Sequence, residues 1–138
     1  MWEVRDFATK IRAALSVMRA YWRLPESLQI AAYCSGGEYA WPRDGALQVI
    51  QHLTEVGSAV IGVEVWLATE PGPTIPSPGI YVWEAPSRQA TASWSAFAQA
   101  ANTKAADHVR AFSWRPHDIE HAGETPYFNL TVVEEGGE

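Results

Sequence analysis

Apolar residues recur at intervals of three and four through Val4, Phe7, Ile11, Ala14, Leu15, Met18, Tyr21 and Trp22, the spacing of one stripe on an α-helix. Leu24-Pro25 ends it, because a residue before proline is pushed out of helical geometry. Ser27 to Cys34 sets Leu28, Ile30, Ala32 and Cys34 against Gln29, Ala31 and Tyr33, which reads as a strand, although its alanines also permit a helical turn. A second helix is marked by Pro42 near its first position, by Ala46, Leu47, Ile50 and Leu53 at helical spacing, and by Gly57 as its stop. From Ala59 to Ala68 the period becomes two, with Ile61, Val63, Val65 and Leu67 on one face and Val60, Glu64 and Trp66 on the other. Four prolines and two glycines between Glu70 and Gly79 predict an irregular loop without a hydrogen-bond ladder, and a strand from Ile80 to Ala85 follows. Ser93 or Ser95 caps a third helix that carries Trp94, Phe97, Ala98, Ala101, Ala105, Val109 and Phe112 on one stripe. Ser113 to Pro126 is polar, and Tyr127 to Val133 alternates Phe128, Leu130 and Val132 against Tyr127, Asn129, Thr131 and Val133 as a last strand before the acidic tail Glu134 to Glu138. The expected fold is α+β: a single globular domain over residues 1–138, with about three helices packed on a small, mainly antiparallel sheet of three to four strands. The connection from Glu70 to Gly79 suits an antiparallel hairpin, since a parallel pair needs a longer crossover.

Charge adds an asymmetry to this pattern. The 138 residues carry a net charge of −6, divided as +3 over residues 1–23 and −9 over residues 24–138. An acidic body is a poor partner for nucleic acid and a good one for a basic protein. Cys34 is the single cysteine, which excludes an internal disulfide and any multi-thiolate zinc site and points to a reducing compartment. Charges interrupt the N-terminal stretch, so neither a signal peptide nor a membrane span is read there, and the expectation is a soluble cytoplasmic protein with no membrane partner.

Catalytic chemistry is sparse. His117-Asp118-Ile119-Glu120-His121 fits the H-x-x-E-H pattern of one class of zinc peptidases. A small metal-dependent hydrolase using His117, Glu120 and His121 is therefore one alternative reading. Pro116 and Gly123 leave room for little more than one helical turn, so a solvated polar loop is the plainer reading of the segment. Cys34 lies in Tyr-Cys-Ser-Gly-Gly, but none of His52, His108, His117 and His121 has a context that places it beside the thiol, and a small buried hydrophobe is the plainer reading. Ser35-Gly36-Gly37 lacks the frame of a nucleophile elbow, no glycine-rich phosphate loop occurs, and Asn129-Leu130-Thr131 matches a glycosylation acceptor inside a strand. No enzyme activity and no cofactor is expected.

Seven tryptophans are many for this length, and most are expected in the core. Trp66 and Trp83 stand out because each shares a strand face with a polar or small neighbour. Aromatic anchors beside carboxylates suit a protein interface, which makes Glu64, Trp66, Tyr81, Trp83 and Glu84 a candidate strand-face patch and Asp118, Glu120 and Glu124 a second, acidic loop. A non-catalytic self-associating domain, a homodimer for instance, is the other alternative.

From Trp41 to Phe112 the order of elements and several local patterns resemble the immunity protein 40 family of bacterial polymorphic-toxin systems. A tryptophan precedes a helix, here Ala46-Leu47-Gln48-Val49-Ile50-Gln51-His52-Leu53, which runs into the strand Ala59-Val60-Ile61-Gly62-Val63-Glu64-Val65-Trp66. Val63 replaces the family's second glycine and Glu64 its usual aspartate. Tyr81-Val82-Trp83 is a looser counterpart of the aromatic pair ending the next strand. Ser93-Trp94 and Lys104-Ala105-Ala106-Asp107-His108-Val109 follow the next helix's pattern, with His108 in place of an aromatic. The resemblance implies a protein that binds a cognate secreted toxin, without catalysis, and neutralises it by occluding its active or substrate site. A basic toxin such as a nuclease would suit the acidic body.

Overall fold

Packing of the first helix departs from the expected stripe. In the computed structural model, which describes residues 17–35, 37–69, 72–74, 81–114 and 125–136, residues 17–23 are helical and form α1. Ala20 and Leu24 are buried and Val17 and Tyr21 pack against the core. Tyr21 stacks face to face on Tyr39 with ring centroids 3.8 Å apart, which fixes the rotation of the helix. Met18 and Trp22, expected on the inward stripe, are instead 43% and 67% exposed. The part of that stripe from Val4 to Leu15 lies outside the described residues.

The segment read as a strand from Ser27 is helical. α2 spans Glu26–Ala31 and buries only Leu28, so the apparent alternation was not a sheet face. The amides of Leu28 and Gln29 donate to the Pro25 carbonyl, and Gln29 Nε2 donates to the Leu24 carbonyl at 2.9 Å, closing the α1–α2 corner. Ile30 is turned outward and 76% exposed. Strand geometry begins only at β1, Tyr33–Ser35, which pairs with β2, Glu38–Pro42, across a turn in which Gly37 takes φ +79°, a backbone region that side chains disfavour. Cys34 on β1 is exposed rather than buried.

Pro42 and Gly57 bracket α3, Arg43–Glu55, as the sequence signals predict, and Ala46, Val49, Ile50 and Leu53 are its buried face. α4, Trp94–Ala111, starts at Ser93, whose side chain accepts from the Ala96 amide, and its buried alanines at 98, 101, 105 and 106 let it lie close to the sheet. β3, Ala59–Thr69, is the longest strand, and β6, Pro126–Val133, pairs along most of it and with β2 on its other side. With β4 at Gly72–Thr74, the order is β1-β2-β6-β3-β4, and β5, Val82–Glu84, lies on β3 as well, all pairs being antiparallel. The α+β class and antiparallel pairing are as expected, but three to four strands were too few. The additions are the β1–β2 hairpin and β4, Gly72–Thr74, which pairs with Leu67 to Thr69 inside the segment expected to have no ladder. An edge position is where a strand tolerates a proline such as Pro73.

The core between sheet and helices centres on Phe128, Leu53, Trp41 and the β3 valines 60, 63 and 65. The β3–β6 ladder slips between Val60 and Gly62. There the Val60 amide donates to Asn102 Oδ1 of α4 at 2.7 Å, and Asn102 Nδ2 donates to the Ser58 carbonyl and to Thr54 Oγ1 at 2.9 and 3.0 Å. A Cβ on Gly62 would meet Thr131 Cβ and Oγ1 at 3.3 Å. Gly62→Val is therefore expected to lower stability by about 1–3 kcal/mol in urea unfolding, the usual cost of overpacking, whereas unchanged stability would show that β6 yields at Thr131.

Candidate functional site

The strands carry three charged side chains among the described residues, Glu38, Glu64 and Glu84, and no basic one. Strand register brings all three to one face. Tyr33, Ala40, Asn129, Glu64 and Val82 form a row across the sheet, and two residues along each strand come Ser35 and Glu38, then Thr131, Gly62 and Glu84. Side chains alternate along a strand, so these rows share a face, and the intervening residues Tyr39, Leu130, Val63, Trp41, Phe128 and Val65 meet the helices. On the outer face Ser35, Glu38, Val82 and Glu84 are exposed and Glu64 and Thr131 half-buried, while Ala40, Trp66 and Asn129 are buried.

The five residues expected as one patch are divided by this register. Glu64, Trp66 and Glu84 belong to the outer face. Trp83 stands opposite Val63 on the helix side, its ring 5.1 Å from that of His108, and Tyr81 packs edge-on against Phe112 and Trp114 at 5.1 and 5.7 Å. Alternation from Gly62 to Leu67 is as expected, but the ladder slip turns Val60, read on the Glu64 face, to the core side; Trp83 and Glu84, adjacent on β5, take opposite faces, and the phase of β5 against β3 is set by pairing, which neither segment shows alone. Trp66 is only 3% exposed, so it is not a surface anchor. Its Nε1 donates to Glu64 Oε1 at 3.1 Å and holds that carboxylate in place. Asp118, Glu120 and Glu124, together with His117 and His121, lie outside the described residues.

Sequence reasoning missed Glu38. Its signal was the Gly36-Gly37 pair, a hairpin turn that sends the next strand back beside the first. Burial, and after it the charge of Glu64, push the Glu38 carboxyl above its ordinary value. A raised carboxyl favours the protonated folded state, so this contribution is fully present below the ordinary carboxylate range and is lost as pH rises through the raised value. Glu38→Gln should accordingly be more stable than the parent at neutral pH, with the difference vanishing in acid. Urea midpoints at the two conditions measure this, and a difference that persists in acid would assign it to another cause.

The arginines and lysine of the described residues lie elsewhere, on helices or in the segment before α4. Arg43 donates to the Arg110 and Phe112 carbonyls, Arg19 and Arg23 pair with Glu134, and Arg88 lies over the Trp94 ring. A cleft of about 490 Å³ near Glu134 is lined by Arg23, His52, Leu53, Val56 and Trp94, away from the acidic rows. Beside it His52 Nε2 is buried without a partner among the described residues. Among those residues no group of three or more His, Cys, Asp or Glu could hold a metal ion, and no helix is long and apolar enough to cross a membrane. The site has carboxylates at fixed register, with no basic residue on their face among the described residues, which suits attraction of a positively charged surface. No protein-family model, no curated protein and no solved structure matches this chain.

Proposed function

We propose that this protein is a non-catalytic immunity protein that binds a cognate secreted bacterial toxin and neutralises it by laying the outer face of its sheet over the toxin's active or substrate-binding surface. The observation that carries this reading is the separation of charge: every charged strand residue among those described is a glutamate on one face. Such a face steers a basic partner at long range, and Val82, 46% exposed between Glu64 and Glu84, offers apolar contact at close range. The resemblance of residues 41–112 to the immunity protein 40 family supports the same role. A nuclease is one class of toxin with the required positive surface.

The test is survival of cells that express the toxic domain encoded beside this gene, with and without this protein, followed by isolation of the complex. Rescue with a stable complex is the expected result, and failure of both removes the proposal. Within a complex, Glu38→Lys combined with Glu84→Lys, both at exposed positions, should leave the fold intact and slow association by about tenfold or more at low salt, because surface charges act chiefly on the on-rate. An unchanged on-rate would take this face out of the interface.

A further inference from the structure

The two edges of the sheet are built differently. On one side β4 contains Pro73, β5 carries Glu84, and Pro86 follows two residues later. Proline and charge are common devices that stop an edge from pairing with another chain. The other edge is β1, Tyr33-Cys34-Ser35, which has no charge and no proline, and its outer side pairs with no described strand. Cys34, its central residue, is exposed. Beside it, on the helix side, lies an apolar shoulder. Cys34 faces Tyr39 across the hairpin, Tyr39 stacks on Tyr21, and Trp22 meets Tyr21 edge-on at 5.2 Å, with α2 and its Ile30 leading directly into β1. Trp22 and Ile30 are the two most exposed large apolar side chains described, at 67% and 76%.

We infer that β1 is a homodimer interface, in which two copies pair their β1 strands antiparallel across a two-fold axis at Cys34 and cover the Trp22 and Ile30 shoulders. A second copy fits because a two-fold antiparallel pair makes the edge its own complement: Tyr33 of one copy stands beside Ser35 of the other, and Cys34 beside Cys34. Charge permits it as well. Glu38 of each copy sits on β2, so the two lie three strand spacings apart, about 14 Å, and no like charges face each other across the new pair. The outer faces of the two copies then form one continuous surface, with all six strand glutamates on the same side. This inference does not depend on the toxin reading.

Sedimentation equilibrium of the full chain under reducing conditions tests it. Mass should rise with concentration from the chain's 15.2 kDa toward twice that value. Cys34→Lys, which puts a charge at the exposed centre of the edge, and independently Trp22→Glu, on the shoulder, should each hold the protein at the monomer mass while leaving its circular dichroism unchanged. Residues opposed across an antiparallel pair have Cα atoms about 4.5–5.5 Å apart, within disulfide range. Diamide, taking two hydrogens from the two thiols to become the hydrazine, should therefore join the wild-type dimer through a Cys34 disulfide. A monomer at every concentration, a dimer indifferent to both substitutions, or a dimer that diamide does not join would each overturn the proposal.

Discussion

Asn102→Ala should lower the unfolding free energy by about 3 kcal/mol, the largest effect expected from any single polar side chain described in this protein. Asn102 is 2% exposed and its amide serves three partners: the Val60 amide, the Ser58 carbonyl and the Thr54 hydroxyl. Val60 stands where the β3–β6 ladder slips, so its N–H has exchanged a strand partner for this side chain. Truncation removes the acceptor and both donors at once. The Val60 amide and the Ser58 carbonyl are backbone groups of buried residues that cannot turn to water, and each unpaired buried group costs about 1–3 kcal/mol. Small domains have about 5–15 kcal/mol in total, so the variant should show a markedly lower urea midpoint with an unchanged slope. Asn102→Asp keeps the acceptor but loses both donations and buries a charge, and should be no better tolerated at neutral pH. A loss below about 1 kcal/mol for the alanine variant would mean that water reaches the Ser58 turn.

Trp41→Ala should cost about 3–5 kcal/mol, the range for removing a buried large aromatic side chain. Trp41 is 4% exposed in the main core and donates from Nε1 to the Leu28 carbonyl at 2.8 Å, so it fills volume under the sheet and also ties α2 to it. Gly45 accommodates it, since a Cβ there would stand 3.4 Å from Trp41 Cβ. Trp41→Phe separates the two roles. It keeps much of the volume and leaves the Leu28 carbonyl without its donor, and should cost about 1–2 kcal/mol by urea unfolding, with faster hydrogen exchange confined to α2. Equal losses for Phe and Ala would show that the hydrogen bond outweighs the packing.

These two residues also mark what the sequence made legible. Elements with a long period and clear punctuation were readable: α3 between Pro42 and Gly57, α4 from its Ser93 cap, and the β-branched run of β3. Elements shorter than two periods were not. β1 and β4 have three residues each, too few to establish alternation, and α2 has six, with a single buried side chain that any pattern would fit. Asn102 looked like an ordinary polar position on a helix because its role depends on a ladder slip 42 residues away. For the candidate site, Glu64 and Glu84 were singled out as carboxylates beside aromatic residues. Glu38 was missed and Trp83 misplaced because strand pairing, a non-local property, decides which residues share a surface.

The place of β6 has a consequence for the order in which the chain can fold. β6 comes after every other described strand in sequence, yet it lies between β2 and β3 in space. During synthesis the β1–β2 hairpin and the β3 group are thus two unjoined pieces, each offering a bare edge that only residues 126–133 can cover. Closure waits for a contact spanning about ninety residues from Tyr39 to Asn129. Until β6 emerges, the nascent chain exposes the inner sides of β2 and β3, the interval in which it depends most on chaperones and is most open to mispairing.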